Sequence, residues 1–253
     1  MSTADDWLTT FHRRSEPRCR IVCFPHAGGS AGAFRALSAA APETVAVAAV
    51  QYPGRQWRQA EPSLTSIAHL AAGAAEGVRA AGDIPVLLYG HSMGALVAFE
   101  VARSLAGSGV PVLRLVASGS NAPTRPRWRH APGVWDDAAI LTELRGLGGT
   151  AQQVLDDEEM LRLAMPALRA DYRALREYTC AEDARIEAPI TVVLGRDDPT
   201  TTAQDAEPWR RHTLAACDTE IVEGDHFFPL TRPATVMEII MSRVPGVPFL
   251  RIT

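Results

Sequence analysis

The sequence predicts an α/β fold with a mostly parallel central sheet, and three observations predict it. Short apolar runs of strand length alternate with longer segments of helical apolar spacing, the pattern of parallel strands joined by crossover helices. Two of these runs, ending at Phe24 and Tyr89, feed directly into glycine-bearing loops. The length of 253 residues, with 47% hydrophobic and 21% charged residues, suits one compact α/β domain, 1–253, carrying a modest insertion.

In chain order, Ile21-Val22-Cys23-Phe24 reads as a buried strand and is followed by the loop Pro25-His26-Ala27-Gly28-Gly29-Ser30. Val45 to Val50 is a second strand, ending at the turn Tyr52-Pro53-Gly54-Arg55, and a helix around Ile67 to Ala81 follows. Val86-Leu87-Leu88-Tyr89 is a strand that runs into Gly90, and Ala95 to Leu105 resumes with helical spacing at Leu96, Phe99 and Val101. Leu113 to Ser118 and Ile190 to Leu194 are further strands. Glu220-Ile221-Val222 is a short last one before Gly224-Asp225-His226.

From Asn121 to Ala188 the pattern changes to helical segments punctuated by Pro, Gly and Trp, with no convincing strand. Leu161, Met165, Leu168, Tyr172 and Leu175 recur at spacings of four and three and form one apolar stripe. Pro166 inside that stripe predicts a kink or a break into two helices. An insertion that follows a strand near the carboxyl edge of the sheet is placed to cover a site there, so residues of about 121–188 are predicted to form a helical lid.

Global composition narrows the partners. A formal net charge of −4 gives no sign of binding to nucleic acid or an anionic membrane. No apolar run approaches the ~18 residues of a membrane-spanning helix, and the polar stretch from Met1 to Arg20 lacks the apolar core of a signal peptide. The expectation is a cytoplasmic monomer without cofactor or bound metal. Cys19, Cys23, Cys180 and Cys217 show no paired spacing and read as free thiols.

The chemistry lies in Gly90-His91-Ser92-Met93-Gly94. A serine hydroxyl is a weak nucleophile that needs a base, an orienting acid and donors for the oxyanion. Glycines at both flanks permit the sharp strand-to-helix turn that exposes the serine in an α/β-hydrolase fold. Ser92 is thus the predicted nucleophile and the Met93 N–H the first oxyanion donor. The loop after the first of these strands supplies the second, Ala27 N–H ahead of Gly28. In this fold the triad runs serine, acid, histidine along the chain. His26, which precedes the serine, is therefore read as shaping its loop. Gly195-Arg196-Asp197-Asp198-Pro199 offers the acid, Asp198 ahead of Asp197 because a following proline holds it extended. His226 follows the last strand and is predicted as the base, whereas His130 and His212 fall at no strand end.

With these residues placed, the chain resembles the type II (editing) thioesterases that accompany polyketide synthases and nonribosomal peptide synthetases. The resemblance runs from about Arg20 to Arg243 and is carried by Phe24 to Gly29, Tyr52 to Arg55 and Gly90 to Ala95. Leu144 to Thr150, Pro166 to Tyr172, Gly195 to Pro199 with Trp209, and Gly224 to Phe227 complete it. It implies a discrete enzyme that hydrolyses stalled or aberrant acyl groups from the phosphopantetheine arms of carrier proteins. Such carriers are acidic, and the basic cluster Arg125, Arg127 and Arg129 is a docking surface on that reading. Met93, Phe227 and Phe228 line an acyl channel or belong to the core. A general carboxylesterase and a non-catalytic binding module of the same fold are the competing readings.

Overall fold

The computed structural model describes residues 4–125, 136–147 and 157–244. Arg127, Arg129, His130 and the end of the Leu144–Thr150 motif lie outside them.

Seven strands form one sheet in the order β1-β3-β2-β4-β5-β6-β7. They are β1 (Leu8–Thr9), β2 (Cys19–Phe24), β3 (Val45–Val50), β4 (Val86–His91), β5 (Val112–Ser118), β6 (Ile190–Gly195) and β7 (Cys217–Val222). The two-residue β1 pairs antiparallel with β3 at one edge, and all other neighbours are parallel. The sequence reading missed β1, too short to carry a period.

Successive residues on a strand face opposite sides, and here each side meets its own core. Val22, Phe24, Val86 and Leu88 pack with α2 (Ile67–Ala80) and α3 (Met93–Leu105). Ile21, Cys23, Leu87 and Tyr89 face a second cluster with α1 (Arg35–Ala39) and the C-terminal helix Pro233–Met241. Burial on both faces is why these strands are apolar throughout rather than alternating.

Chain order sets the place of the site. From β2 the chain moves outward to β3, then returns to lay β4 on the other side of β2. The carboxyl ends of β2 and β4 therefore flank a topological switch point, where open α/β sheets leave a crevice.

Within the 121–188 region the described residues hold two helices, α4 (Asp137–Gly146) and α5 (Glu158–Glu177), with turns and coil at 121–125 and 178–188. Asp157 caps α5 by accepting from the N–H groups of Glu159 and Met160. Met165, Leu168, Tyr172 and Leu175 are buried, as their spacing predicts. Pro166 does not divide α5 into two elements. Its side chain is exposed, so the carbonyl that lacks an N–H partner lies on the face open to water. Three further α-helices follow among the described residues: α6 (Ala203–Ala206), α7 (Phe228–Thr231) and α8 (Pro233–Met241). No helix among the described residues is long and apolar enough to cross a membrane. The four cysteines are free, Cys19 and Cys23 within the core.

Candidate active site

Three of the predicted site residues follow the carboxyl ends of strands and meet in one cavity. Ala27 follows β2, Ser92 follows β4, and His226 follows β7. All three line a cavity with Met93, Leu96, Gly119, Thr200 and Phe227. Leu144 of α4, neighbouring Leu147, and Tyr172 and Leu175 of α5 close it from above. Residues of α4 and α5 thus form one wall of the cavity.

Ser92 sits at φ 54°, ψ −120°, a conformation that costs an L-residue of order 1–3 kcal/mol and persists only where the surroundings enforce it. Its N–H donates to the Ser118 carbonyl at 2.8 Å, pinning the turn to β5. The flanking glycines are required by contact. A Cβ on Gly90 would stand 2.2 Å from the Gly94 carbonyl oxygen, and one on Gly94 2.0 Å from that of Phe24. The resulting elbow leaves Ser92 half-buried at the mouth of α3. The Met93 N–H donates to no group among the described residues, as expected for the first turn of a helix.

His226 Nδ1 lies 2.8 Å from Asp198 Oδ2, both side chains almost wholly buried. This leaves Nε2 as the ring nitrogen without a carboxylate. Burial acts to raise the Asp198 carboxyl, but the bond and charge of His226 and two bonds from Thr200 outweigh it and hold the group below the usual range. Thr200 donates its N–H and its hydroxyl to Asp198 Oδ1, at 2.8 and 2.6 Å. The neighbour Asp197 is exposed, and its N–H donates to the Gly224 carbonyl. Asp198, and not Asp197, is the aspartate bonded to the His226 ring.

His26 packs against Phe227, ring centroids 5.2 Å apart, and over Gly29, where a Cβ would meet its ring at 2.9 Å. It shapes the loop by ring packing; among the described residues its ring makes no hydrogen bond. Burial, then His226, then Arg55 push it down to about 3, so it stays neutral. His91 is likewise pushed well down, first by burial and then by His226 and His26. His212 is structural: its ring bonds Thr124 Oγ1 at 2.9 Å and the Ala184 carbonyl at 2.8 Å. Met93 and Phe227 face the cavity, whereas Phe228 is buried in the opposite core. Arg125 is exposed.

Gly28 differs from the expectation that made it the alternative donor. It takes φ +74°, and its N–H donates to Asp171 Oδ2 at 2.7 Å. The Ala27 N–H meets no acceptor among the described residues. Asp171 belongs to α5 and forms a buried bidentate pair with Arg55, at 2.6 and 2.9 Å. Thr200, Asp171 and Arg55 were not singled out as site residues by sequence reasoning. Thr200 had a readable signal, since an aspartate accepting from the N–H two residues on is a common turn device. No group of three or more metal-ligating side chains stands together among the described residues.

Residues 19–244 match the family described as the thioesterase domain. The chain belongs to this thioesterase family. Among curated proteins it is 42% identical over 232 residues to a probable cadicidin biosynthesis thioesterase of Streptomyces griseus. That match covers 90% of this chain and 64% of the relative, so the chain spans just under two thirds of its length. It is 36% identical to the gramicidin S biosynthesis protein GrsT of Aneurinibacillus migulanus, across 90% of each. The fold matches the type II thioesterase BorB of the borrelidin cluster, with TM-score 0.85, 37% identity, and coverage of 96% and 99% of the two chains. RedJ, from the prodiginine pathway of Streptomyces coelicolor, matches at TM-score 0.81 and 31% identity, over 92% and 90%. The fold is that of the α/β-hydrolase thioesterases.

Proposed function

We propose that this protein hydrolyses acyl thioesters carried on the phosphopantetheine arm of carrier proteins in polyketide or nonribosomal peptide synthesis, clearing stalled or aberrant acyl groups. One observation carries the reading: Ser92 on its strained elbow shares a helix-covered cavity with a His226–Asp198 pair held at 2.8 Å. The likeness to BorB of the borrelidin cluster, RedJ of the prodiginine pathway and GrsT of gramicidin S biosynthesis supports the substrate class.

In this mechanism the Ser92 hydroxyl attacks the thioester carbonyl while His226 Nε2 accepts its proton. Asp198 holds the imidazole by Nδ1 and stabilises the imidazolium. The tetrahedral oxyanion accepts from the N–H groups of Met93 and Ala27. Collapse expels the pantetheine thiolate, which takes the proton from His226 and leaves as the thiol. His226 then removes a proton from water as the water attacks the acyl-Ser92 ester, and the second collapse returns that proton to Ser92 and releases the carboxylic acid. No cofactor takes part. The chain acts as one cytoplasmic domain, monomeric, with residues of about 121–188 as its lid, and engages neither membrane nor nucleic acid.

Steady-state kinetics on a carrier protein loaded with short acyl groups, set beside p-nitrophenyl esters of the same acids, test the substrate class. The proposal expects a clear preference in kcat/KM for the carrier-bound thioester, abolished in Ser92→Ala. Equal or better turnover of the simple esters would make the protein a general esterase.

A further inference from the structure

Two motifs that mark the resemblance, Tyr52-Pro53-Gly54-Arg55 and Pro166 to Tyr172, have no part in the triad. The fold brings them together. Arg55 and Asp171 are 116 residues apart in sequence, yet their side chains are 6% and 0% exposed and form two parallel N–H···O bonds. Such pairs are rare in an interior because each charge loses its water. This one also carries bonds to a loop. Asp171 Oδ2 accepts from Gly28 N–H at 2.7 Å, and the Arg55 guanidinium donates to the Gly29 carbonyl at 3.2 Å. Arg55 lies over the Tyr52 ring, 5.2 Å from its centroid, and Gln51 Nε2 donates to the Arg55 carbonyl at 3.0 Å.

From the lid side, Leu168 and Asp171 stand one helical turn apart on α5 and both reach Gly28. A Cβ there would stand 2.5 Å from Leu168 Cδ2, so the residue must be glycine both for its positive φ and for this approach. Burial acts to lower the Arg55 guanidinium, but the attraction and hydrogen bonds of Asp171 outweigh it and raise the group. The Arg55 guanidinium therefore stays charged at any working pH.

We propose that Asp171, balanced by Arg55, is a positioning residue through which the lid helix orients the Pro25–Gly29 loop, and so the Ala27 N–H, for the oxyanion. The two backbone bonds hold Gly28 and Gly29 on either side of one peptide turn and leave Ala27 N–H as the donor facing the cavity. Arg55 cancels the carboxylate charge, which would otherwise oppose a second anion forming nearby. Because α5 also places Tyr172 and Leu175 along the cavity, the helix that contacts the acyl group is the one that sets the donor. This inference rests on the oxyanion assignment proposed above.

The test is Asp171→Ala with Asp171→Asn beside it, each assayed per competent site, with sites counted by intact mass after exhaustive fluorophosphonate labelling. Misplacing one oxyanion donor lowers kcat by roughly 10²–10³, so Asp171→Ala should lose about that much with KM within threefold. Asp171→Asn, which keeps an oxygen for Gly28 N–H, should lose less. A purely structural role would lower the number of competent sites and the Tm while leaving the rate per site at the wild-type value. If Asp171→Ala does not fold, Asp171→Asn decides alone: a drop in kcat per site with unchanged KM supports the proposal. A rate per site within threefold of wild type in every Asp171 variant that folds overturns it, provided Ser92→Ala is inactive. Turnover surviving in Ser92→Ala would instead overturn the underlying triad and oxyanion reading, and the positioning role with it.

Discussion

The proposed triad and oxyanion loop come together at the same cavity but are held there by different means. Ser92, Asp198 and His226 each stand within a few residues of a strand end, and backbone geometry places them: the φ of 54° at Ser92, the turn at Asp198-Pro199-Thr200, the glycine before Asp225. The loop Pro25 to Gly29 also leaves a strand. Its approach, however, is set by side chains far along the chain, with Gly28 bonded to a residue 143 positions away. The first arrangement depends on local sequence and the rigid sheet. The second depends on a desolvated ion pair that is stable only while both partners are present.

Breaking the local half should have the largest effect on rate. Asp198→Asn leaves the fold intact but gives His226 a partner that cannot stabilise its charged form. By analogy with measured triads kcat should fall about 10⁴-fold, read in the same carrier-bound assay. A loss under tenfold would mean that Asp198 is not the orienting acid.

Breaking the distant half should instead strike stability. Arg55→Met strands the Asp171 carboxylate in the interior, which should cost about 3–5 kcal/mol in urea unfolding. Pairing it with Asp171→Leu should recover most of that loss. Additive losses in the double variant would show that the two side chains are not a coupled pair.

A smaller effect separates the groups by pH. His26 and His91 are held neutral by burial, and Asp198 is held ionised by His226 and Thr200 against the opposing pull of burial. All three bind fewer protons folded than unfolded. Their contribution is complete above the ordinary histidine value of about 6.5 and is lost as pH falls. For His26 the loss runs from there toward about 3, and Asp198 adds to it below about 4. Each histidine contributes at most about 1.4 kcal/mol per pH unit. Urea midpoints should therefore decline steadily from pH 7 to pH 4, and a flat profile would contradict the neutral state of these rings. The smallest effect belongs to Asp197→Asn. Its side chain is exposed and offers nothing to His226, so stability should stay within about 0.5 kcal/mol and the rate near wild type.

This contrast also governs what could be read in the sequence. The strands around Ile21, Val45, Val86, Leu113 and Ile190 were legible because double-faced burial makes them continuously apolar. Ser92, Asp198 and His226 could be proposed from sequence because each follows a strand end in the chain order that this fold uses, and the structure sets them after β4, β6 and β7. The last strand was seen only at Glu220 to Val222, because the half-exposed start of β7 at Cys217 lacks that signal. Pro166 predicts a kink or a break; α5 runs through it as one helix, held by the packing of Leu168, Tyr172 and Leu175. The Arg55–Asp171 contact was invisible, since each residue looks like an ordinary surface charge until the fold closes over both.

The most direct test of the central claim is the intact mass of the enzyme quenched during turnover of an acyl-loaded carrier. The mechanism predicts a mass increase equal to the acyl group, mapped by proteolysis to the peptide containing Ser92 and absent in Ser92→Ala. Hydrolysis at the wild-type rate by Ser92→Ala, or an acyl adduct on another residue, would contradict it.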